Sequence, residues 1–335
     1  MIRPPRLFHL PENTAAISLS ALGLLLATWS TTGAQAAEPA PEEPQSAVAA
    51  SLFGDVYTHP ERWEPLEIGN LFSKGWDKPW VAPPTGEGGA PRQGWLMADD
   101  GVFYRLSLAI FDWQHRPGGP VDAYNGMLVN FTPINQRLNI FSNIPFVNAS
   151  AAPGSMEREA NFGDVQIQPR ILLSESRAFS QTFGLNFRLP TGQGNMGHGH
   201  GVNGNGVAAV TPQYEFWSNA WKGLVVRGGA GFEMPYAGDI QQAGARSQYQ
   251  GNLAIGYYMT PHSLEPFADT VGYVAANMTQ YLDRRSPQST TIVTVGPGFR
   301  THMADRWYLL GTVEFPVTYP QPYDFELQAS IMKVY

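Results

Sequence analysis

Residues 164–171 read Asp164-Val165-Gln166-Ile167-Gln168-Pro169-Arg170-Ile171, with polar residues at even positions and apolar residues at odd positions. The alternation returns over 182–189, where the even positions are Thr182, Gly184, Asn186 and Arg188. A repeat of two residues indicates a β-strand with one polar and one apolar face. Because only the short polar stretch 174–177 separates the two runs, we predict an antiparallel hairpin.

The same alternation continues from Gly101 to the last residue. It predicts about twelve strands of the ~10-residue type found in outer-membrane barrels. They lie near 101–113, 123–132, 137–146, 161–173, 179–190, 207–217, 222–235, 247–259, 263–275, 289–300, 306–317 and 323–335. Short connections, such as 174–177 and 260–262, alternate with longer ones, such as 191–206 and 276–288. This rhythm is typical of barrels with short periplasmic turns and long outer loops.

The apolar faces could meet lipid or a protein core, and the charged residues favour lipid outside. Arg170, Arg188, Glu215 and Arg227 all fall on polar faces. Turning one Arg to mid-bilayer costs roughly 2–4 kcal/mol, and several would exceed the ~5–15 kcal/mol stability of a domain. We therefore predict an all-β fold, an antiparallel up-and-down transmembrane β-barrel of about twelve strands over 101–335. A soluble β-sandwich is the alternative.

The N-terminal third has a different composition. Residues 1–36 have the features of a cleavable signal peptide, with Arg3 and Arg6, an apolar run and the Ala34-Gln35-Ala36 site. Residues 37–50 are predicted to be a flexible linker, and 51–100 an aromatic-rich segment, irregular or partly helical. The signal peptide predicts export to the cell outer membrane of a Gram-negative bacterium.

The aromatic-rich segment has candidate plug residues. Apolar residues from Ile68 to Trp76 recur at helical spacing, which predicts a short amphipathic helix. The plug candidates are Trp63, Leu71, Phe72 and Trp76. They would lie in or under the barrel mouth; the alternative is a periplasmic cap whose aromatic residues only pack.

The inward charges are the candidate lining of the lumen, and they are Arg170, Arg188, Glu215, Arg227, Glu233, Arg300 and Glu314. Twelve strands enclose a lumen narrower than that of a sixteen-stranded porin. These charges could select solutes, or they could form a ladder of internal salt bridges that holds the barrel shut.

Other functions have little support in the sequence. The net charge of −7 gives no basis for nucleic-acid binding, and the absence of cysteine excludes thiolate metal sites. His198 and His200 lie on a glycine-rich loop, where two ligands would make a weak metal site. No Gly-x-Ser-x-Gly element is present. We expect neither an enzyme nor a cofactor.

Two short motifs bracket one hairpin: Phe162-Gly163-Asp164-Val165, and Arg188-Leu189-Pro190-Thr191-Gly192. Because of these two motifs, the chain resembles the family of outer-membrane transporters named for the MetA-pathway of phenol degradation. The resemblance covers about residues 101–335. The resemblance implies a barrel and uptake of small hydrophobic or aromatic compounds. The last strand, which ends at Tyr335, is similar to the C-terminal assembly signal of bacterial outer-membrane proteins, although Lys333 stands at a usually apolar position.

Together these features predict a porin-like channel for passive transport of small molecules. The alternative is a plugged, non-transporting barrel with a structural or adhesive role. The expected partners are outer-membrane lipid and lipopolysaccharide, a small-molecule solute, and the barrel-assembly machinery through the C-terminal strand.

Overall fold

The structure is a computed structural model that describes residues 46–86, 92, 94–116, 122–151, 158–192, 206–238, 240, 246–282, 291–319 and 321–335. The predicted signal peptide, most of the predicted linker, and the loop histidines His198 and His200 lie outside these residues. Helix α1 covers Ala47–Phe53, and two 3-10 helices cover Pro60–Arg62 and Ile68–Asn70. In this described part, no helix is both long and apolar enough to cross a membrane.

The described residues contain thirteen β-strands in one antiparallel sheet. The strands are β1 Leu106–His115, β2 Asp122–Pro133, β3 Leu138–Ala151, β4 Arg158–Asn161, β5 Gln166–Glu175, β6 Phe179–Arg188, β7 Val207–Trp221, β8 Leu224–Gly238, β9 Gln248–Tyr258, β10 Val271–Tyr281, β11 Thr291–Ala304, β12 Trp307–Pro316 and β13 Phe325–Val334.

The sheet closes on itself through its first and last strands. Strand β1 pairs with β2 on one side and with β13 on the other, where Leu106 lies opposite Val334. Strands β4 and β5 both pair with β3, so they share one position in the wall. The result is a closed barrel of twelve positions, which confirms the predicted fold.

The two faces of the wall differ as the alternation predicts. On β6 the inward Thr182 is buried, whereas its neighbour Phe183 is 38% exposed. Arg227 and Arg300 are fully buried inside, and Leu253 and Ile255 stand exposed outside. Charges therefore line the interior, and apolar side chains form the outer surface that contacts lipid.

One connection differs from its prediction. The short turns 134–137, 176–178, 222–223 and 305–306 lie at one end of the barrel, as expected. The turn predicted at 260–262 extends over 259–270, because β10 begins only at Val271. Pro261 and Pro266 lack the backbone N–H that a paired strand needs, which is a physical reason for the later start.

The N-terminal segment also departs from prediction in two places. The amphipathic helix expected over 68–76 is absent from these described residues, and only Ile68–Asn70 form a single 3-10 turn. Gly75 has a φ of +90°, which a helix does not allow. The predicted linker ends earlier than residue 50, because α1 begins at Ala47. Ser46 caps this helix by accepting the Ala49 N–H at 3.2 Å.

Candidate functional site

Residues 94–104, here called the luminal segment, run through the inside of the barrel. They contact inward side chains from strands around the wall, namely Asn139 of β3, Arg170 of β5, Ser180 of β6, Arg227 of β8, Asn252 of β9 and Tyr273 of β10. The sequence alternation predicts a first strand near 101–113. In the structure β1 begins only at Leu106, because residues 101–105 connect the inside of the lumen to the wall.

The segment begins with a tight turn in which Trp95 and Ala98 form an isolated β-bridge. The Trp95 ring stacks on Tyr273 with centroids 4.6 Å apart, and the Arg227 guanidinium lies 3.9 Å from the Trp95 ring. Tyr273 Oη also accepts the Leu96 N–H at 3.0 Å and donates to the Leu96 carbonyl at 3.1 Å. Stacking and cation–π contacts of this kind hold the turn against one side of the wall.

Asn252 of β9 fixes the next part of the turn with both ends of its amide. Its Oδ1 accepts the Asp99 N–H at 3.0 Å, and its Nδ2 donates to the Met97 carbonyl at 2.8 Å. Met97 has a φ of 55°, a conformation that non-glycine residues rarely adopt. The amide therefore satisfies backbone groups that the turn cannot pair by itself.

Asp100 connects the luminal segment to two arginines of the wall. Its carboxylate lies 3.3 Å from Arg227 and 4.0 Å from Arg170. Arg170 also pairs with Glu215 and donates to the Val102 carbonyl at 3.3 Å. All four charged groups are buried, so each depends on its opposite charges, because an unpaired buried charge is strongly destabilising.

Gly101 passes very close to the wall. A Cβ atom at this position would lie 2.6 Å from the Phe216 Cα and 2.7 Å from the Glu215 carbonyl oxygen. Ser180 Oγ donates to the Gly101 carbonyl at 2.6 Å. Only glycine allows the segment to approach β6 and β7 this closely.

The structure places the seven predicted lumen residues on inward faces. Four of them form two ion pairs, Arg170 with Glu215 and Arg188 with Glu233. The other three have different partners. Arg227 contacts Asp100, and Arg300 donates to Tyr258 Oη and the Asp269 carbonyl, each at 3.0 Å. Glu314 accepts from Asn277 at 2.6 Å and Tyr323 at 3.0 Å.

The predicted plug residues lie elsewhere, at the end of the barrel with the short turns. Trp63 Nε1 donates to Glu175, the last residue of β5, at 2.7 Å, and Phe72 is 92% exposed. Trp76 Nε1 donates to the carbonyl of Leu71 at 2.6 Å. None of these four residues lines the cavity, and the residues of the same segment that run through the lumen are 94–104. Helical spacing misled the prediction of a helix over 68–76, because the segment is nearly free of regular structure.

The same end of the barrel anchors the N-terminal segment. Leu66 and Glu175 exchange both backbone hydrogen bonds, at 2.9 and 2.8 Å. Arg92 pairs with the Glu175 carboxylate at 2.9 Å. Burial lowers the pKa of Arg92, and the negative charge of Glu175 opposes that shift. Nearby, hydrogen bonds from Lys74 and Lys78 lower the pKa of the partly exposed Glu64.

A cavity of about 350 Å³ lies on the outer-loop side of the luminal segment, which forms its floor. Strands β1–β3 supply an apolar wall, consisting of Leu108, Ile110, Met127, Val129, Phe131 and Phe141. The rest of the lining is rich in side-chain amides, namely Asn143, Gln166, Gln168, Asn186, Gln213, Gln250, Asn252, Asn277 and Gln328. The cavity thus has one apolar and one hydrogen-bonding side.

Beyond the cavity, three buried carboxylates lie near the outer ends of β1, β12 and β13. Asp112 accepts from Asn125 at 2.9 Å, and Glu326 from Gln114 at 2.8 Å. The third is Glu314, and none of the three pairs with Lys or Arg within the described ranges. In this described part, no group of three or more His, Cys, Asp or Glu residues could hold a metal ion.

The closed antiparallel wall, its lipid-facing apolar surface and its charged interior define a transmembrane barrel of the outer-membrane type. The model of the family described as "Putative MetA-pathway of phenol degradation" matches residues 106–321, which is more than half of the chain. The chain belongs to this family, which confirms the resemblance carried by the Gly-Asp and Leu-Pro-Thr-Gly motifs.

A solved structure with a TM-score above 0.5 shows the same fold. The barrel is similar to the COG4313 outer membrane channel from Pseudomonas putida F1, with a TM-score of 0.53 at 11% identity over 73% of this chain and 100% of that one. It also resembles the KdgM porin, with a TM-score of 0.42 at 9% identity over 68% of this chain and 99% of that one. The NanC porin matches with a TM-score of 0.43 at 8% identity, over 68% and 99%. No curated protein matches the chain in sequence.

Proposed function

We propose that the protein is an outer-membrane channel for the passive passage of small, uncharged solutes that have a large apolar part, aromatic compounds among them. The observation that supports this most directly is the cavity with its apolar and amide sides. Its volume of about 350 Å³ is similar to that of pockets that enclose small organic ligands, about 300–1,000 Å³.

The lining favours uncharged solutes. A flat apolar surface would lie against Met127 and Phe131, and a hydroxyl or carbonyl group would reach Gln168 or Gln213. Amides offer donors and acceptors without a net charge. An anionic solute would lose its hydration there with no free partner at Arg170, which is already bound to Glu215 and to the Asp100 backbone.

Liposome swelling tests the proposed selectivity. We expect the protein to pass phenyl glucoside faster than glucose, although phenyl glucoside is larger, because only the aryl group can use the apolar wall. Met127→Gln should slow phenyl glucoside and leave glucose unchanged. The control is Met332→Gln, since Met332 is also buried but does not line the cavity. Equal slowing by both variants would count against the cavity as the selective site.

The second candidate function is a plugged barrel that conducts nothing and has a structural or adhesive role. The contacts that hold the luminal segment favour it, because Tyr273, Asn252 and Arg170 bind the segment from different strands. This candidate predicts no swelling with either solute in the unmodified protein, and swelling only after the luminal segment has been released by substitution. Swelling with the unmodified protein would exclude it.

The remaining partners follow from the position of the wall in the membrane. We propose that lipid and lipopolysaccharide cover the outward face and that the assembly machinery binds β13 before it pairs with β1. Ile331 and Leu327 face outward on this strand. Lys333 lies 4.8 Å over the Trp307 ring, which places its charge beside an aromatic residue rather than among acyl chains.

A further inference from the structure

Residues 66–78, here called the edge segment, extend the barrel wall at the end with the short turns. Leu66 exchanges both backbone hydrogen bonds with Glu175, the last residue of β5. The other edge of β5 is taken by β6, where Glu175 lies opposite Ser180. Leu66 therefore lies along the edge of β5 that pairs with β3 further up the strand.

The turn between β2 and β3 holds the rest of the edge segment beside the wall. The buried Arg137 side chain donates to the Lys74 carbonyl at 2.9 Å and to the Glu67 carbonyl at 3.1 Å. The same guanidinium donates to two carbonyls of β5, at 2.8 and 3.1 Å. Asn135 Nδ2 donates to the Trp76 carbonyl at 3.0 Å. The edge segment is thus bonded to the wall near both of its ends.

One side of the edge segment is packed, and the other side is bare and apolar. Leu66 is buried in an apolar cluster with residues of the luminal segment and β5. In contrast, Phe72 is almost fully exposed, and Ile68 is 62% exposed. The Trp76 ring is also exposed, and its Nε1 already donates to a backbone carbonyl of the same segment. These rings and the aliphatic side chain therefore have no polar atom that still requires water.

The edge segment lies at the level where the lipid-facing wall ends. Leu66 pairs with Glu175, and Glu175 lies opposite Ser180 of β6. Phe179, the neighbour of Ser180, is exposed on the outer face of the wall. Aromatic residues at the strand ends of outer-membrane barrels mark the boundary between acyl chains and head groups. Phe72, which follows Leu66 closely in the chain, is therefore beside this boundary.

The charges of the edge segment are compatible with a phospholipid surface. The segment contains two lysines and two acidic residues, so its net charge is zero. Lys74 and Lys78 both pair with Glu64, at 2.9 and 3.2 Å. Long charged side chains of this kind reach head groups while their neighbours contact acyl chains. No excess charge repels the apolar side from the membrane.

We propose that Ile68, Phe72 and Trp76 insert into the periplasmic leaflet of the outer membrane, and that the edge segment anchors the N-terminal part of the chain to lipid beside β3 and β5. Apolar and aromatic side chains of surface-bound segments enter the boundary between head groups and acyl chains in this way, because contact with lipid removes their apolar area from water. The anchor does not depend on whether the barrel conducts.

Spin labels at single cysteines test this contact in the full-length barrel, reconstituted in phospholipid vesicles. The chain has no cysteine, so Phe72→Cys provides one labelling site. Glu61→Cys, on an exposed 3-10 turn, is the control in water, and Phe183→Cys, on the outer face of β6, is the control in lipid. Electron paramagnetic resonance measures collisions with oxygen, which concentrates among acyl chains, and with a nickel chelate, which stays in water.

We expect the ratio of oxygen to nickel collisions at position 72 to exceed the ratio at 61 and to approach that at 183. A ratio equal to that at 61 would overturn the lipid anchor and leave this surface to a periplasmic protein. Few collisions with either reagent would also overturn it, because protein, such as a second copy of the chain, would then cover the label.

A second labelling site keeps the test independent of the loss of the Phe72 ring. Ile68→Cys is labelled with Phe72 in place and again in combination with Phe72→Ser. We expect the label at 68 to contact lipid in the first variant and to move towards water in the second, because the ring no longer holds the turn in the leaflet. Phe53→Ser is the matched control, since Phe53 is a similarly exposed ring on α1. A label at 68 that collides mainly with nickel in the first variant would contradict the anchor, as would equal effects of the two serine substitutions.

Discussion

At the scale of single residues, the lumen is organised by Arg170. Its guanidinium pairs with Glu215, approaches Asp100 and donates to backbone carbonyls of the luminal segment. The ring of Phe131 lies 5.4 Å from the same guanidinium. One side chain thus connects β5, β7, β2 and the luminal segment. Its charge balances Glu215 and, together with Arg227, also balances Asp100.

Replacing Arg170 should therefore be costly. We expect Arg170→Met to lower the free energy of unfolding by about 3–5 kcal/mol, as is typical when one partner of a buried ion pair is removed. Urea titration of the protein in lipid vesicles, followed by tryptophan fluorescence, measures this. The control is Arg188→Met, because its pair with Glu233 is more exposed, with 14% of the Glu233 side chain accessible compared with 7% for Glu215, and should tolerate the loss better. Equal losses in the two variants would show that burial of the pair does not set the cost.

At the scale of elements, the luminal segment closes the barrel and depends on a few contacts along its length. The Trp95 ring lies between Tyr273 and Arg227, and Asp100 ties the far end of the turn to Arg227 and Arg170. Between these points the turn is bound by neutral hydrogen bonds, from Tyr273 to the Leu96 backbone and from Asn252 to the backbone of Met97 and Asp99. The stacking and the charged contacts of the turn are therefore at its two ends.

Releasing both ends should open the lumen. We expect Trp95→Ala with Asp100→Asn to raise single-channel conductance in planar bilayers above that of the unmodified protein, because the turn loses its stacking and its charged contacts. Trp63→Ala is the control, since Trp63 contacts Glu175 at the end of the barrel and does not enter the lumen. A conductance unchanged by the double substitution would mean that the luminal segment does not limit passage.

At the scale of the whole molecule, the barrel is stable because its two faces meet different solvents. Outward residues such as Leu185 and Leu253 are exposed to lipid, while inward charges are buried with partners. The closed sheet leaves few backbone groups unpaired. This stabilises the barrel, because an unpaired backbone group is costly in contact with lipid.

Neighbouring residues on opposite faces should respond differently to the same charge. We expect Leu185→Arg to destabilise the barrel in lipid vesicles by about 2–4 kcal/mol, since it faces the acyl chains. Asn186→Arg, one residue along β6, points into the cavity and should fold with little loss. The two stabilities are compared by measuring the folded fraction of each variant across a urea series. Folded and unfolded barrels are separated by their heat-dependent shift in mobility on gels. Similar losses at both positions would mean that β6 does not have a lipid-facing side.

The comparison between prediction and structure is clearest at particular elements. The alternation over 164–171 and 182–189 predicted β5 and β6 closely, because a period of two is a local property of a strand. It failed at 101–105, where alternating residues continue although the chain lies in the lumen. Helical spacing likewise misled the prediction over 68–76, because packing against the turn 134–137 overrides local preference.

The alternation of residue types is enough to predict the barrel, its two faces and the placement of its charges, because it dictates which side of each strand lipid can cover. Local patterns do not predict which residues close the lumen or which arginines bind Asp100, because these contacts form only in the folded barrel. Trp95 and Tyr273, or Asp164 and Gly206, are far apart in the chain. Their contacts depend on the closure of the whole barrel, and no local pattern of residues specifies them.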